Sequence, residues 1–160
     1  MSFDTRSFRQ ALGCFPTGVT VVTVGTAERP KGMTVNSFAS VSLDPPQILW
    51  CMDRKSSHYH TFTKAQNFTV SVLGSAHRTV SDRLAKPGEH SLEGLALSKT
   101  ENGVPGLADA LAVLECRLQT VHEGGDHAII VGRVEYFSFT KTGAPLVFFR
   151  GRYGALAEDG

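Results

Sequence analysis

Two cations and two hydroxyls stand side by side in Asp53-Arg54-Lys55-Ser56-Ser57, after an apolar run and before a helix-like one. Amide groups, hydroxyls and positive charge meeting at such a junction suit a phosphate. A capped helix start with solvated Arg54 and Lys55 explains the same residues equally well. Upstream, Gly32 to Ser42 carries no charge and is dense in small polar groups: Thr34, Asn36, Ser37, Ser40 and Ser42, set among Val35, Phe38 and Val41. Donors between apolar walls suit a flat heteroaromatic ring with one greasy and one polar edge, the isoalloxazine type among them. An amphipathic strand with its Thr and Ser on the wet face is the plainer reading. A third segment, Gly124-Gly125-Asp126-His127, sets an imidazole at the mouth of a long apolar run, behind two residues that permit close backbone approach. A histidine there can meet a carboxamide or a phosphate, or simply be a satisfied surface residue.

Other chemistries find no support. His58 and His60 are metal-compatible, but on a helix they point about 200° apart, and no third ligand follows at a recognisable spacing. Cys14, Cys51 and Cys116 form no C-x-x-C pair and read as buried free thiols of a reducing cytosol. No G-x-G occurs, which disfavours a doubly wound dinucleotide fold, and no G-x-S-x-G elbow marks a serine hydrolase. Sixteen Lys and Arg against 15 Asp and Glu leave a net charge of +1, so no global field draws a nucleic acid. The start, Met1-Ser2-Phe3-Asp4, lacks the basic and then apolar order of a secretory signal. The uncharged stretch Gln10 to Ala27 is broken by glycines and Pro16, so a soluble cytoplasmic protein is expected, with no membrane contact.

The elements that must position these segments are mostly strands. Residues 4–12 predict a short helix capped by Asp4 or Ser2, with Phe3, Phe8, Leu12 and Phe15 as apolar anchors. The β-branched run Val19 to Val24, a polar turn at Glu28 to Gly32 and an extended segment beyond predict a hairpin. Further strands are expected at Ser37–Leu43, Gln47–Met52, Asn67–Leu73, Ala112–Thr120, Ala128–Phe139 and Pro145–Phe149. Helices are expected at Ser56–Ala65, begun by a Ser-Ser cap, and at Ala76–Ala85. Residues 86–106, rich in Gly, Pro, Ser and charge, read as a long irregular excursion over the surface. A mainly β chain without βαβ rhythm, in one domain of 160 residues, fits a closed or split antiparallel barrel with a few short helices.

The order of segments carries a stronger signal than any one of them. Phe15-Pro16-Thr17-Gly18-Val19-Thr20-Val21-Val22-Thr23 is followed by Thr34 through Ser42 with Leu43-Asp44-Pro45-Pro46, then by Asn67 to Leu73 and Leu114-Glu115-Cys116. Gly125-Asp126-His127, Gly132-Arg133-Val134, Pro145 to Phe149 and Tyr153 complete the series. This resembles the flavin reductase-like family over almost the whole chain. The resemblance implies an FMN-binding split barrel, assembled as a homodimer, like the small reductase components of two-component monooxygenases. It implies that free FMN or FAD is reduced by NADH or NADPH for a partner monooxygenase. By position, Thr34, Val35, Asn36, Ser37, Ser40 and Val41 would line the isoalloxazine. Met52, Asp53, Arg54, Lys55, Ser56 and Ser57 would hold the flavin phosphate or pyrophosphate, with Arg83 as a further phosphate contact. His127 would meet the nicotinamide nucleotide and act at the catalytic centre, and Tyr153, with Arg150 or Arg152, would cover it. His58 and Leu84 depart from the family pattern, at positions where relatives often carry Thr and an aromatic. A flavoprotein that keeps FMN and reduces a ferric chelate or a quinone, and a non-catalytic flavin-binding module, remain open alternatives.

Overall fold

The computed structural model describes residues 2–158. In chain order its elements are α1 (Thr5–Leu12), β1 (Thr17–Gly18), β2 (Thr20–Val24), β3 (Lys31–Val35), β4 (Ala39–Leu43), β5 (Pro46–Asp53), α2 (Tyr59–Thr63) and β6 (Asn67–Val72). After a 3-10 turn (Ser75–His77) follow α3 (Arg78–Ala85), β7 (Leu97–Ser98), β8 (Gly106–Leu107), β9 (Ala112–Gly124), β10 (His127–Phe139), β11 (Val147–Phe149) and β12 (Arg152–Gly154).

Seven strands form one antiparallel sheet in the order β3-β2-β6-β9-β10-β5-β4. Its two edges, β3 and β4, are separated in the chain by Asn36, Ser37 and Phe38 alone. Three residues span at most about 14 Å, so the sheet must roll until its edges nearly meet, which is a split barrel. Inside lie Val22, Val24, Ile48, Trp50, Met52, Phe62, Phe68 and Ile130. Trp50 meets Phe62 and Phe68 edge-on at 6.2 and 6.1 Å between ring centroids. Gly132 makes room for this packing: a Cβ there would stand 2.3 Å from Cζ of Phe68.

Every residue of β2 is buried. Successive side chains of a strand face opposite ways, and Val22 and Val24 enter the barrel while Val19 and Val21 face a second cluster with Leu73, Leu84, Leu92, Leu107 and Leu146. That outer cluster explains residues 86–106. The segment is irregular, as expected, but Leu92, and Leu107 just beyond the segment, are buried because they roof the apolar outer face of β2, while His90 is buried against Phe62 and His58, and Val104 is buried as well. Main-chain and side-chain bonds stitch it down: Gly32 N–H donates to His90 O at 2.9 Å, and Nδ1 of His90 lies 3.0 Å from Gly32 O. Thr69 and Thr100 donate to Val104 O, and Glu115 accepts the amides of Glu101 and Asn102 at 2.7 and 2.8 Å.

The structure corrects three local expectations. The helix after the phosphate-like turn is only Tyr59–Thr63, with no side-chain cap, because the Ser56 hydroxyl accepts the His58 amide within the turn instead. In α1 Asp4 is indeed the cap, accepting the amides of Arg6 and Ser7. Its proposed apolar anchors, however, are exposed, Phe3 by 72% and Phe15 by 75%, and no residue of α1 is buried. Of the cysteines expected to be buried, Cys116 is, Cys51 is half-buried and Cys14 is exposed.

Candidate functional site

Thr34, Val35, Asn36 and Tyr153, four of the expected site residues, line one cleft beside the split between the two sheet edges. Thr34 is the penultimate residue of β3, and its hydroxyl donates to Ser81 O on α3 at 2.8 Å. Ser81, fully buried, also shares a 2.6 Å hydrogen bond with the Tyr153 hydroxyl. Helix α3 thereby joins the strand end at Thr34 to the C-terminal hairpin. Val19, Thr34, Val35, Asn36, Ala85, Phe148 and Tyr153 enclose a cleft of about 170 Å³ between them. Its walls are apolar and aromatic, and Asn36 offers an exposed amide at its edge.

On the other side of the split, Ser37 continues the ladder past the end of β4. Pairing of β4 with β5 ends at Ala39 and Leu49. The Ser37 hydroxyl then accepts the Cys51 amide at 2.9 Å and donates to Cys51 O at 3.3 Å, standing in for a missing strand. Ser40 and Val41 are exposed on β4, and Val41 is the extra residue of a bulge between Ser40 and Ser42. Bulges at an edge re-aim side chains and often border functional sites.

The phosphate-like turn follows at the end of β5. Its register partner is the start of β10: His127 pairs with Asp53, which sets the Gly125-Asp126 turn against Arg54. The Arg54 amide donates to Asp126 O at 3.0 Å, its Nε to His127 O at 3.3 Å, and its guanidinium meets Glu123 at 3.4 Å. Asp53 accepts the Lys55 amide at 2.8 Å, which folds the turn. Lys55, Ser57 and the half-buried Ser56 line its outside. His127 donates Nδ1–H to Asp126 at 2.8 Å, and that hydrogen bond, with the imidazole's charge, holds the Asp126 carboxyl below the usual carboxylate range. With Nδ1 engaged, Nε2 is the nitrogen left for a ligand.

Several expected site residues do not contribute as their side chains suggest. Met52 is 1% exposed and points into the barrel, so only its backbone faces the turn, and Val35 is likewise part of the core. The hydroxyls of Thr34 and Ser37 are committed to framework bonds. Arg83 donates from Nη2 to Ser91 O and Glu93 O, pinning the 86–106 segment. Arg150 sits at the hairpin tip with positive φ, its guanidinium over Phe149 and 3.9 Å from the Cys14 sulfur, on the α1 side.

Sequence reasoning passed over Ser81, Ala85, Phe148 and the His58–His90 contact. The two imidazoles lie 4.3 Å apart, edge to face, joining the phosphate-like turn to the covering segment. Burial first, then the His90 and Lys31 charges, holds the His58 pKa below its usual value. Ser81 has no mark in the sequence; its role follows from its burial in the fold, where such a hydroxyl must find a partner.

Residues 12–157 match the family model of the flavin reductase like domain. The chain is 46% identical over 156 residues to a protein of Agrobacterium fabrum named FMN reductase (NADH) SmoA, covering 98% of this chain and 88% of that one. It is 34% identical over 158 residues to HsaB of Rhodococcus jostii, named a flavin-dependent monooxygenase reductase subunit, covering 99% and 81%. The solved NADH:FAD oxidoreductase SgcE6 of Streptomyces globisporus, in complex with NAD and FAD fragments, superposes with a TM-score of 0.91 at 37% identity, covering 98% of this chain and 94% of that one.

Proposed function

The chain belongs to the flavin reductase-like family, and on that premise we propose that it is an NAD(P)H-dependent flavin reductase, taking FMN or FAD as its flavin and passing the reduced form to a partner monooxygenase. What supports the reading most is one adjacency: the Thr34–Val41 segment and the Asp53–Ser57 turn are tied together through Ser37 and Cys51. A flavin needs both a ring slot and a phosphate seat, about one ribityl chain apart.

The residues present fit that group. Asn36 and the main chain of 35–41 would hold the polar edge of the ring, with Val41 and Phe148 against its apolar parts. Lys55, Ser56 and Ser57 would take the phosphate, while Arg54, tied to Glu123, would shape the turn and lend charge. A bound flavin supplies the hydride acceptor. The protein's own part is position and electrostatics. His127, oriented by Asp126, would bind the nicotinamide nucleotide through Nε2, and Tyr153 of β12, held by Ser81 of α3, would close over it. No side chain is asked to carry a proton in this scheme.

Phe3, Phe8, Leu12 and Phe15 are exposed on and beside α1, with Phe3 and Phe8 in contact, and Tyr136, Phe137 and Phe139 are exposed at the end of β10; grouped exposed apolar side chains mark interaction surfaces. They support a homodimer that covers them. One reductase domain would then make up each protomer. No helix among the described residues is long and apolar enough to cross a membrane; a cytoplasmic setting belongs to the proposal because the nicotinamide donor is found there.

Anaerobic oxidation of NADH and NADPH by the purified protein, with FMN, FAD and riboflavin in turn, tests the proposal. Turnover with added flavin supports it. Flavin that stays with the protein through gel filtration, with no turnover of added flavin, would instead favour a fixed-FMN oxidoreductase, and absence of both would overturn the assignment.

A further inference from the structure

We propose that Arg78, on the first turn of α3, takes the phosphates of the incoming nicotinamide dinucleotide and sets the enzyme's preference for a phosphorylated hydride donor. The inference rests on the reading of the chain as a flavin reductase and adds a residue that neither motif nor resemblance assigned.

The Arg78 guanidinium carbon lies 5.3 Å from the centroid of the Tyr153 ring, within range of a cation–π contact. The ring itself is fixed at two points. Its hydroxyl bonds Ser81, one helical turn beyond Arg78, at 2.6 Å, and its ring meets Phe148 edge to face with 5.7 Å between centroids. Arg78, Ser81 and Ala85 stand at i, i+3 and i+7 on α3 and so share one face. That face presents a cation, an anchor and a small residue to the same aromatic ring. Tyr153 and Ala85 line the cleft, so the ring that would cover a nicotinamide also carries the guanidinium.

The remaining capacity of that guanidinium points to a ligand. Among the described residues no carboxylate lies within ion-pair distance of it, not even Asp82 one turn along the helix, and no carbonyl accepts from it. The neighbouring arginines are otherwise engaged: Arg83 holds two carbonyls, Arg54 holds Glu123, and Arg150 turns toward Cys14. Arg152 adjoins Tyr153 on β12, where alternation along a strand directs it to the opposite face. A dihydronicotinamide ring is neutral, whereas its dinucleotide carries a pyrophosphate. With a net charge of only +1, the chain has no general field to gather such an anion. A guanidinium presented beside the slot, with donors still free for a bidentate contact, supplies that attraction locally.

The test compares NADH with N-benzyl-dihydronicotinamide, which has the reacting ring but no phosphate, using FMN as acceptor in the wild type, Arg78→Gln and Arg78→Lys. Removing a charge-assisted contact should lower the ratio of kcat/KM for NADH to that for the benzyl donor by about tenfold in Arg78→Gln, through KM. Arg78→Lys should recover part of the loss, and the salt dependence of the KM for NADH should weaken in Arg78→Gln. Independently of turnover, calorimetric titration with NAD+ should show a Kd raised by a similar factor. A donor ratio unchanged in Arg78→Gln, including an equal fall for both donors as would follow from mere disturbance of Tyr153, overturns the proposal alone. Absence of wild-type turnover with either donor overturns the reductase reading and this proposal with it.

Discussion

The first residue of β10, His127, lies in register with the last residue of β5, Asp53, so that two turns far apart in the chain form one rim. Because Arg54 then bonds the carbonyls of both Asp126 and His127, a change on either turn is felt by the other. The candidate flavin-phosphate turn and the candidate nucleotide residue are thus mechanically one unit, and their separate contributions must be divided by measurement.

His127→Ala removes Nε2 but leaves the main-chain carbonyl that Arg54 uses. It should raise the KM for NADH by about tenfold, the worth of one hydrogen bond to a charged or strongly polar group, with a smaller change in flavin Kd. Asp126→Asn should act in the same direction, because the imidazole loses the carboxylate that orients it. An equal loss of flavin affinity in His127→Ala, read by fluorescence titration, would show that the residue serves the phosphate turn instead.

Ser37→Ala should destabilise the fold by about 1–3 kcal/mol, since a half-buried amide and carbonyl of Cys51 lose their partner together. For a domain of this size each kcal/mol lowers Tm by about 2–4 °C. Ser37→Thr, which keeps the hydroxyl, should recover most of the loss in a thermal melt. Flavin affinity should fall along with stability in the alanine variant, because the same bond holds the ring segment to the phosphate turn.

Gly132→Ala places a methyl where Cζ of Phe68 would be 2.3 Å away. Barrel cores accept such additions only by moving a ring or a strand, at about 1–3 kcal/mol or more. Combining it with Phe68→Leu should restore part of the stability lost in a urea melt, although Phe68→Leu alone destabilises. Additive losses in the double variant would mean that the clash is relieved elsewhere.

The barrel was legible because its strands are β-branched runs bounded by turn residues, but the hairpin of β9 and β10 was not, since β9 runs on to Gly124 through the polar residues Gln119, Thr120, His122 and Glu123. Roles along those strands were less legible. Met52 falls within a segment that the family resemblance assigns to phosphate, yet alternation along β5 sends its side chain inward with Ile48 and Trp50. The buried part of residues 86–106 was hidden for a different reason: its apolar residues follow no regular period, and the two-sided burial of β2 is what creates a need for Leu92. Arg78 and Ser81 carry no local mark either, since their meaning comes from Tyr153, more than 70 positions later in the chain.

His58 should make the fold sensitive to mild acid. Its pKa is lowered in the folded chain by burial and by the His90 and Lys31 charges, so below about pH 6.5 the unfolded chain binds the proton more readily than the folded one. The contribution is therefore fully present above the unfolded value and declines as pH falls from about 6.5 toward the folded pKa. Urea melts between about pH 5 and pH 8 should show this slope in the wild type and a shallower one in His58→Gln. Lys31→Gln should move the His58 titration upward when followed by NMR. An unchanged slope in His58→Gln would assign the acid sensitivity to other groups.

The three thiols should separate by reactivity, because the thiolate is the attacking form and access decides the rest. Cys116 lies in the barrel core, where burial first, and then the Glu115 and Glu135 charges, push its pKa up to about 12. Burial likewise raises that of Cys51, against the pull of its Ser37 hydrogen bond. Cys14 is exposed beside Arg150 at the end of α1. Iodoacetamide at neutral pH should therefore label Cys14 first, Cys51 slowly and Cys116 only when the chain is unfolded, as peptide mass mapping over time would show. Protection of Cys14 that appears with rising protein concentration would place α1, with its exposed Phe8 and Leu12, inside the proposed dimer contact. Equal labelling of Cys14 across concentrations that span the monomer–dimer transition would place that contact elsewhere, with the exposed Tyr136, Phe137 and Phe139 of β10 as the face to mutate.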